Sequence, residues 1–215
     1  MRLIGRYASP FVRRVAVTMQ IYGLPYDHLS VMPFGDDQAV LSRLNPIRRV
    51  PVLQLDNGEC LIDSAAIIDH LDTLADPEKI LTPTTGSERR RVLTLLAVAT
   101  GAMDKLIAVL YERHFRSEEK QHEPWISRCE AQVISGFNAL DREFAGPWAT
   151  GSKMTQADVT LAVFWLFGRA KRPDFFGRLD CPNIKNMSAA LAITPAFEAT
   201  EAETETLSTK LSSGK

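Results

Sequence analysis

Short strand-like runs alternate with helical stripes over the first 80 residues of this 215-residue chain and then cease. Residues 3–7 read as a strand, Val12, Val15, Ala16 and Met19 recur at helical spacing, and residues 26–32 read as a second strand. Gly23 follows the first helix and Pro25 opens the next run, which gives a βαβ unit. Asp56-Asn57-Gly58 separates two alternating runs, 52–55 and 59–62, and Asn-Gly in that setting is the strongest short-range hairpin signal. A shorter helix is expected near 37–44. After the hairpin, Ser64 is the expected N-cap of a helix whose stripe is Ala65, Ile67, Ile68 and Leu71. The expected order is βαβ-α-ββα, an α+β domain over 1–76.

A break at Asp76-Pro77 and Pro83-Thr84-Thr85-Gly86 marks a linker over 77–86. Beyond it only helices are expected. Val92, Leu95, Leu96, Ala99, Met103, Leu106, Ile107 and Leu110 predict a helix of about 40 Å over 87–115, and a second follows over 124–144. Thr155-Gln156-Ala157-Asp158 reads as a capping box with Asp in the usual Glu position. The run 159–167 behind it is apolar on all sides, so it should form the centre of a helical domain spanning 87–204. Shorter helices are expected at 184–191 and 195–204, and a frayed tail at 205–215.

Charge and cysteine content narrow the function classes. Lys plus Arg number 25 against 26 Asp plus Glu, a net charge of −1, without the basic excess that phosphate backbones demand. Nucleic acid is not an expected partner. Cys60, Cys129 and Cys181 are odd in number and lack CxxC or Cys/His spacing, which argues against a disulfide framework or zinc site and for a reducing compartment. His28, His70, His114 and His122 have no ligand spacing, so no metal is expected. The apolar run 159–167 is well short of the roughly 20 residues that span a bilayer, and the first residues show no apolar stretch behind a basic leader. No membrane association is expected, and the expected location is the cytoplasm.

Three places could carry chemistry. Ser9-Pro10-Phe11-Val12-Arg13-Arg14-Val15 follows the first strand. Ser9 there is either an ordinary N-cap or a hydroxyl beside free N–H groups and the positive helix end, able to stabilise a bound thiolate. Asn45-Pro46-Ile47-Arg48-Arg49-Val50-Pro51 precedes the third strand. The proline implies an edge strand or a cis bond, and the cis form would turn the Val50 backbone outward to bind an extended peptide. Arg48 and Arg49 are either a solvated pair or a carboxylate ligand. Asp63-Ser64 begins the helix after the hairpin. Ser64 with free N–H groups suits a carboxylate and Asp63 an ammonium, so together they fit the head group of an α-amino acid.

Taken in order, SPFVRRV, NPIRRVPVL and NGECLIDSAAIIDHL resemble the thioredoxin-like half of a cytosolic glutathione S-transferase, of the bacterial type with an N-terminal serine motif. Gly101 to Asp104, Tyr111 to Arg113, Trp125 to Cys129, Ala139 to Asp141 and Thr155 to Asp158 are similar to stretches of that family's helical domain. The resemblance implies an α+β thioredoxin-like domain followed by an all-α bundle for substrate and dimerisation. It implies glutathione as co-substrate, without metal, a small hydrophobic electrophile and a homodimer. Ser9 matches the hydroxyl that bonds the glutathione sulfur, Val50 the residue before a cis-proline that pairs with the cysteinyl backbone, and Arg49 the basic position near the glycyl carboxylate. Asp63 and Ser64 match the pair that holds the γ-glutamyl group, and Asp104 a residue that in some members reaches across the dimer to its amine. Phe11 is a candidate for the electrophile pocket, and Met103, Ile107 and Tyr111 read first as core, with some of them able to line that pocket. The chain departs from the family pattern in carrying Arg48-Arg49 where Gly-Lys is common and Asp63 where Glu or Gln is frequent. Tyr7 is the competing thiol hydroxyl.

The expected function is glutathione transfer to small apolar electrophiles, in the manner of a detoxification enzyme. The alternatives are glutathione-dependent isomerisation or dehalogenation and, from another class, a non-catalytic scaffold that keeps the fold. No motif identifies the electrophile.

Overall fold

The first strand, β1 (Arg2–Ile4), lies between a parallel neighbour, β2 (Asp27–Leu29), and an antiparallel one, β3 (Val52–Gln54). A fourth strand, β4 (Cys60–Ile62), pairs antiparallel with β3 across the Asn57-Gly58 turn, giving the sheet order β2-β1-β3-β4. These elements belong to a computed structural model of the chain, which describes residues 1–201. The tail expected at 205–215 and the last residues of the helix expected over 195–204 lie outside the described residues.

The strands are shorter than the sequence runs that suggested them. Gly5, at φ 127°, turns the chain out of β1. Because Ile4 is opposite Leu29, β2 has no partner for residues 30–32 once β1 has ended. The last rung is the bond from Gly5 N–H to Leu29 C=O, 2.9 Å.

Contacts divide the chain into two compact units, residues 1–74 with the described residues from Pro195 to Glu201, and residues 75–194. In the first unit, the period-2 alternation of the strands sends Ile4 and Val52 to one sheet face, where they pack with Val31 and Leu41 and with the half-buried Leu44, Val50, Cys60 and Ile62. Leu41 and Leu44 come from the short α2 (Gln38–Leu44), which a 3₁₀ turn at Gly35–Asp37 precedes. On the opposite face, Leu3 and Leu53 are fully buried. The helices α1 (Pro10–Tyr22) and α3 (Ser64–Leu74) pack against each other and the strands, through Val12, Val15, Ala16 and Met19 on α1 and Ile67, Ile68 and Leu71 on α3. Gly23, at φ 69°, closes α1 in the left-handed conformation that a β-carbon disfavours. Helix α9 (Pro195–Glu198) groups with α1 and not with the helices that precede it. The Arg13 guanidinium donates to the Phe197 carbonyl at 3.3 Å and lies 5.8 Å from the centre of its ring.

The second unit is helical. Its longest element, α4 (Gly86–Phe115), packs against α5 (Glu123–Arg142) and α6 (Gln156–Lys171). An 18-residue window of α4 has mean hydropathy 1.8, enough by length and composition to cross a membrane. The stripe Val92, Leu95, Ala99, Met103, Leu106 and Val109 is buried, whereas Leu93 and Val98 on the other side are exposed. The expected apolar centre is realised in α6, where Val159, Leu161, Ala162, Val163 and Phe164 are all fully buried. Asp158 begins that helix by accepting from the Thr155 N–H at 2.8 Å and the Thr155 hydroxyl at 2.9 Å, and a third bond comes from the Ala149 N–H at 2.8 Å. Two shorter helices, α7 (Pro173–Gly177) and α8 (Pro182–Ala192), follow. Asp141, near the end of α5, accepts from the Ile184 N–H at 2.8 Å and from the Asn183 side chain, tying α5 to the start of α8.

Candidate functional site

The sheet register brings three of the sequence candidates to one end of the first unit. Ile4, Val52 and Ile62 form one row across β1, β3 and β4. The chain leaves that row through Gly5 toward Ser9, enters it from Val50, and leaves it again at Asp63 and Ser64. Gly5 fixes the spacing. A β-carbon there would stand 2.6 Å from Cγ2 of Val12 and 2.8 Å from Cβ of Val50, so only glycine lets the start of α1 and the approach to β3 come this close.

Ser9 occupies the N-cap position of α1 with extended backbone (φ −81°, ψ 124°), and its carbonyl accepts the Arg13 N–H at 2.9 Å. Its hydroxyl makes no capping bond. Pro10, at the first helical position, removes one of the N–H groups that would otherwise need a partner. The hydroxyl is therefore left at the positive end of the helix, half-exposed and uncommitted. The Tyr7 hydroxyl, its competitor, is engaged with the Tyr26 hydroxyl at 2.9 Å, and its ring is stacked on His28.

The Val50-Pro51 bond is cis. Among the described residues no hydrogen bond occupies the Val50 N–H or C=O. The preceding loop is organised by Asn45, which opens the candidate run and to which the sequence reading gave no role of its own. Asn45 is 2% exposed, its side-chain amide donates to the Arg49 carbonyl at 2.9 Å, and its side-chain oxygen accepts the Ile47 N–H at 3.1 Å. The Asn-Pro pair at 45–46 is a turn-initiation signal that could have found it. Arg48 takes φ 53° in this loop, and both Arg48 and Arg49 are exposed.

The α3 terminus corrects one expectation. Ser64 is the first helical residue and is 3% exposed, and the capping is done by Asp63. The Asp63 carboxylate accepts the Ala65 N–H at 2.7 Å and its carbonyl accepts the Ile67 N–H at 3.0 Å, with the backbone at φ 69°. Asp is among the few side chains that tolerate that region, because a short polar group can bond locally. The second Asp63 oxygen takes no part in this cap, and the residue is exposed. Arg14, within electrostatic reach of Asp63, is 1% exposed. Burial pushes its guanidinium down to about 10, and the Asp63 carboxylate opposes the fall.

A profile of the "Glutathione S-transferase, N-terminal domain" matches residues 3–79. A solved structure of a glutathione transferase family member from Pseudomonas fluorescens Pf-5, with bound glutathione, superimposes with a TM-score of 0.82. It is 31% identical over 93% of this chain and 97% of its own. The chain belongs to the glutathione S-transferase family. The GST-like protein YibF of Escherichia coli (strain K12) is 31% identical over 66% of this chain and 68% of its own length. Maleylacetoacetate isomerase of Pseudomonas aeruginosa is 29% identical over 92% of this chain and 93% of its own.

The remaining candidates in this glutathione S-transferase family member lie on α4, apart from Phe11, which is half-buried at the start of α1. Asp104 is exposed, Ile107 is half-buried, and Tyr111 is exposed with its ring edge-on to Phe115 at 5.4 Å. Of its two readings, core or electrophile pocket, Met103 takes the core place. It is 0% exposed, because the α4 stripe at 92, 95, 99, 103 and 106 is the core face of the helix. A cleft of about 750 Å³ in the helical unit opens at the start of α4, lined by Leu81, Glu88, Arg91, Lys153 and neighbours, and none of the candidate ligand residues borders it. Among the described residues no group of three or more His, Cys, Asp or Glu side chains could hold a metal ion.

Proposed function

We propose that this chain is a glutathione-dependent enzyme that holds the glutathione thiolate at Ser9 and offers it to a small apolar, unsaturated electrophile. The observation that carries the reading is the Ser9 hydroxyl at the start of α1, which makes no capping bond. A hydroxyl in that position donates to a thiolate while the helix dipole favours the negative charge, lowering the thiol pKa from near 8.5. In the same reading the cysteinyl backbone of glutathione pairs with the unoccupied Val50 N–H and C=O. The γ-glutamyl ammonium meets the second Asp63 oxygen, its carboxylate meets Ser64 and the first N–H groups of α3, and Arg49 faces the glycyl carboxylate.

The likeness to a maleylacetoacetate isomerase over 92% of the chain supports isomerisation as the reaction. There the thiolate adds to one carbon of a conjugated cis double bond, the electron pair moves onto the carbonyl oxygen, the single bond rotates, and elimination returns the thiolate. Conjugation, in which the thiolate displaces a leaving group and is consumed, is the second reading, supported by the likeness to a glutathione transferase family member. Exposed apolar residues on α4 and α5, among them Leu93, Val98, Trp125 and Ile134, support a homodimer. A cytoplasmic location belongs to the same reading.

Immobilised glutathione is expected to retain the protein, and free glutathione to release it. A cis-enone should then be isomerised without loss of free thiol, whereas a chloroarene would consume thiol stoichiometrically. Failure to bind at millimolar glutathione rejects both readings. Binding without turnover of either substrate leaves a scaffold.

A further inference from the structure

The edge strand β2 is three residues long and exposed along its whole length, yet it and the residue before it are bonded at several points to the loop that leads to Ser9. Tyr26 and His28 alternate onto one side of this strand. The His28 ring lies flat on the Tyr7 ring, with centroids 4.0 Å apart and planes 2° from parallel. Its Nε2 is 2.7 Å from the Gly5 carbonyl, and since a carbonyl only accepts, Nε2–H is the donor. The Tyr26 hydroxyl meets the Tyr7 hydroxyl at 2.9 Å, with the Gln20 amide 3.5 Å from the same Tyr26 oxygen. Gly5 N–H donates to Leu29 C=O, and Ser9 N–H donates back to Arg6 C=O, each at 2.9 Å. Residues 5, 7 and 9 are thus tied one after another.

We propose that Tyr7, Tyr26 and His28 are positioning residues for the Ser9 hydroxyl, forming a brace that holds the turn from Gly5 to Ser9 at one geometry when thiolate is bound. The brace rests on the functional reading above, since what it positions is the hydroxyl assigned to the glutathione sulfur. Its physical need follows from Ser9 itself. A side chain that makes no capping bond is located only by its backbone, and the backbone here is a turn next to a glycine at φ 127°. The stack and the bond to the Gly5 carbonyl supply what the missing cap does not. The inference also gives Tyr7 a role that leaves its hydroxyl on Tyr26 and off the thiol.

The test compares His28→Ala with the unsubstituted protein in two readouts. Amide hydrogen exchange in the ligand-free protein is expected to accelerate over residues 5–9 by about ten-fold, while α3 amides stay unchanged. Ultraviolet titration of bound glutathione is expected to show a raised thiol pKa, with kcat down about ten-fold and KM for glutathione within about two-fold of the original. Placed on a Ser9→Ala background, His28→Ala should add nothing further to the thiol pKa, since the two act through one hydroxyl. Tyr26→Phe, which removes a single oxygen, should move both readouts in the same direction by about two- to three-fold, and it decides the matter if His28→Ala does not fold. A thiol pKa that stays put while exchange accelerates overturns the proposal, as does a shift that persists in full without Ser9. Absence of glutathione binding by the unsubstituted protein overturns the functional reading, whereas exchange over residues 5–9 that stays unchanged in His28→Ala overturns the brace and needs no ligand.

Discussion

Gly5 and Val50 approach so closely that a β-carbon on Gly5 would lie 2.8 Å from the β-carbon of Val50. The contact sets how near the turn that leads to Ser9 comes to Val50, the residue proposed to pair with the glutathione backbone. Gly5→Ala must displace Val50 or Val12, and it also forces an L residue to φ 127°. The expected loss of stability is about 1–3 kcal/mol, as for overpacked cores. Retention on immobilised glutathione should fall by more than unfolding explains when measured well below the new melting midpoint. Unimpaired retention would sever the link between this contact and the site.

Ser9→Ala separates stability from chemistry. An N-cap serine that bonds its helix contributes about 1 kcal/mol. Ser9 makes no such bond, so its loss should cost under about 0.5 kcal/mol in a urea melt. Turnover should nevertheless drop by at least about ten-fold and the pKa of bound thiol should rise. A large stability loss with unchanged turnover would assign Ser9 to the helix and remove it from the site.

Much of the candidate site's geometry was readable because it is local. The Asn57-Gly58 turn fixes the β3–β4 register, the register fixes that Val50 and Asp63 share one end of the sheet, and Ser9-Pro10 marks the start of α1 at that same end. What the sequence concealed depends on partners distant in the chain. Strand lengths were overestimated because pairing stops where β1 turns at Gly5, and composition carries no sign of where a partner ends. Ser64 looked like the cap because it has the right side chain, and Asp63 took the role by entering the left-handed region, a choice the flanking sequence does not display. His28 read only as a histidine without ligand spacing, and it is exposed. Its stack on Tyr7 joins residues 21 apart in sequence, beyond any periodicity. Met103 shows the converse, since one apolar stripe serves equally as core or pocket until burial is known.

Asp158 is fully buried and accepts three hydrogen bonds from Ala149 and Thr155. Asp158→Ala leaves those donors without an acceptor and is expected to cost about 2–4 kcal/mol. The pH dependence has a definite sign. Burial holds the Asp158 carboxyl above the ordinary aspartate value, against the pull of its hydrogen bonds. The folded protein therefore binds this proton more tightly than the unfolded chain. Its contribution to stability is greatest below the unfolded pKa and is lost as pH rises through the window up to the raised folded value. Urea melts across that window should show the decline in the original protein and a flatter profile in Asp158→Asn. An equal slope in both would assign the dependence to other groups.

The three free cysteines should differ sharply in reactivity. Cys181 is 2% exposed, and burial pushes its thiol up to about 12, with the nearby Asp141 and Asp180 carboxylates adding to the rise. Its sulfur lies 3.5 Å from the Asn138 side-chain oxygen, so the thiol proton has an acceptor to point at. Cys129 is 0% exposed in a cluster with Val109 and Ile126. Cys60 is half-buried on the edge strand β4, and a reagent can reach it. Since the thiolate is the reacting species, brief alkylation of the folded protein near neutral pH should modify Cys60 and spare the other two, and urea should expose all three. Peptide mass spectrometry reads the sites directly. Modification of Cys181 in the folded protein would show that the junction between α5 and α8 opens, and turnover that survives full modification of Cys60 would confirm that the working thiol is not the protein's own.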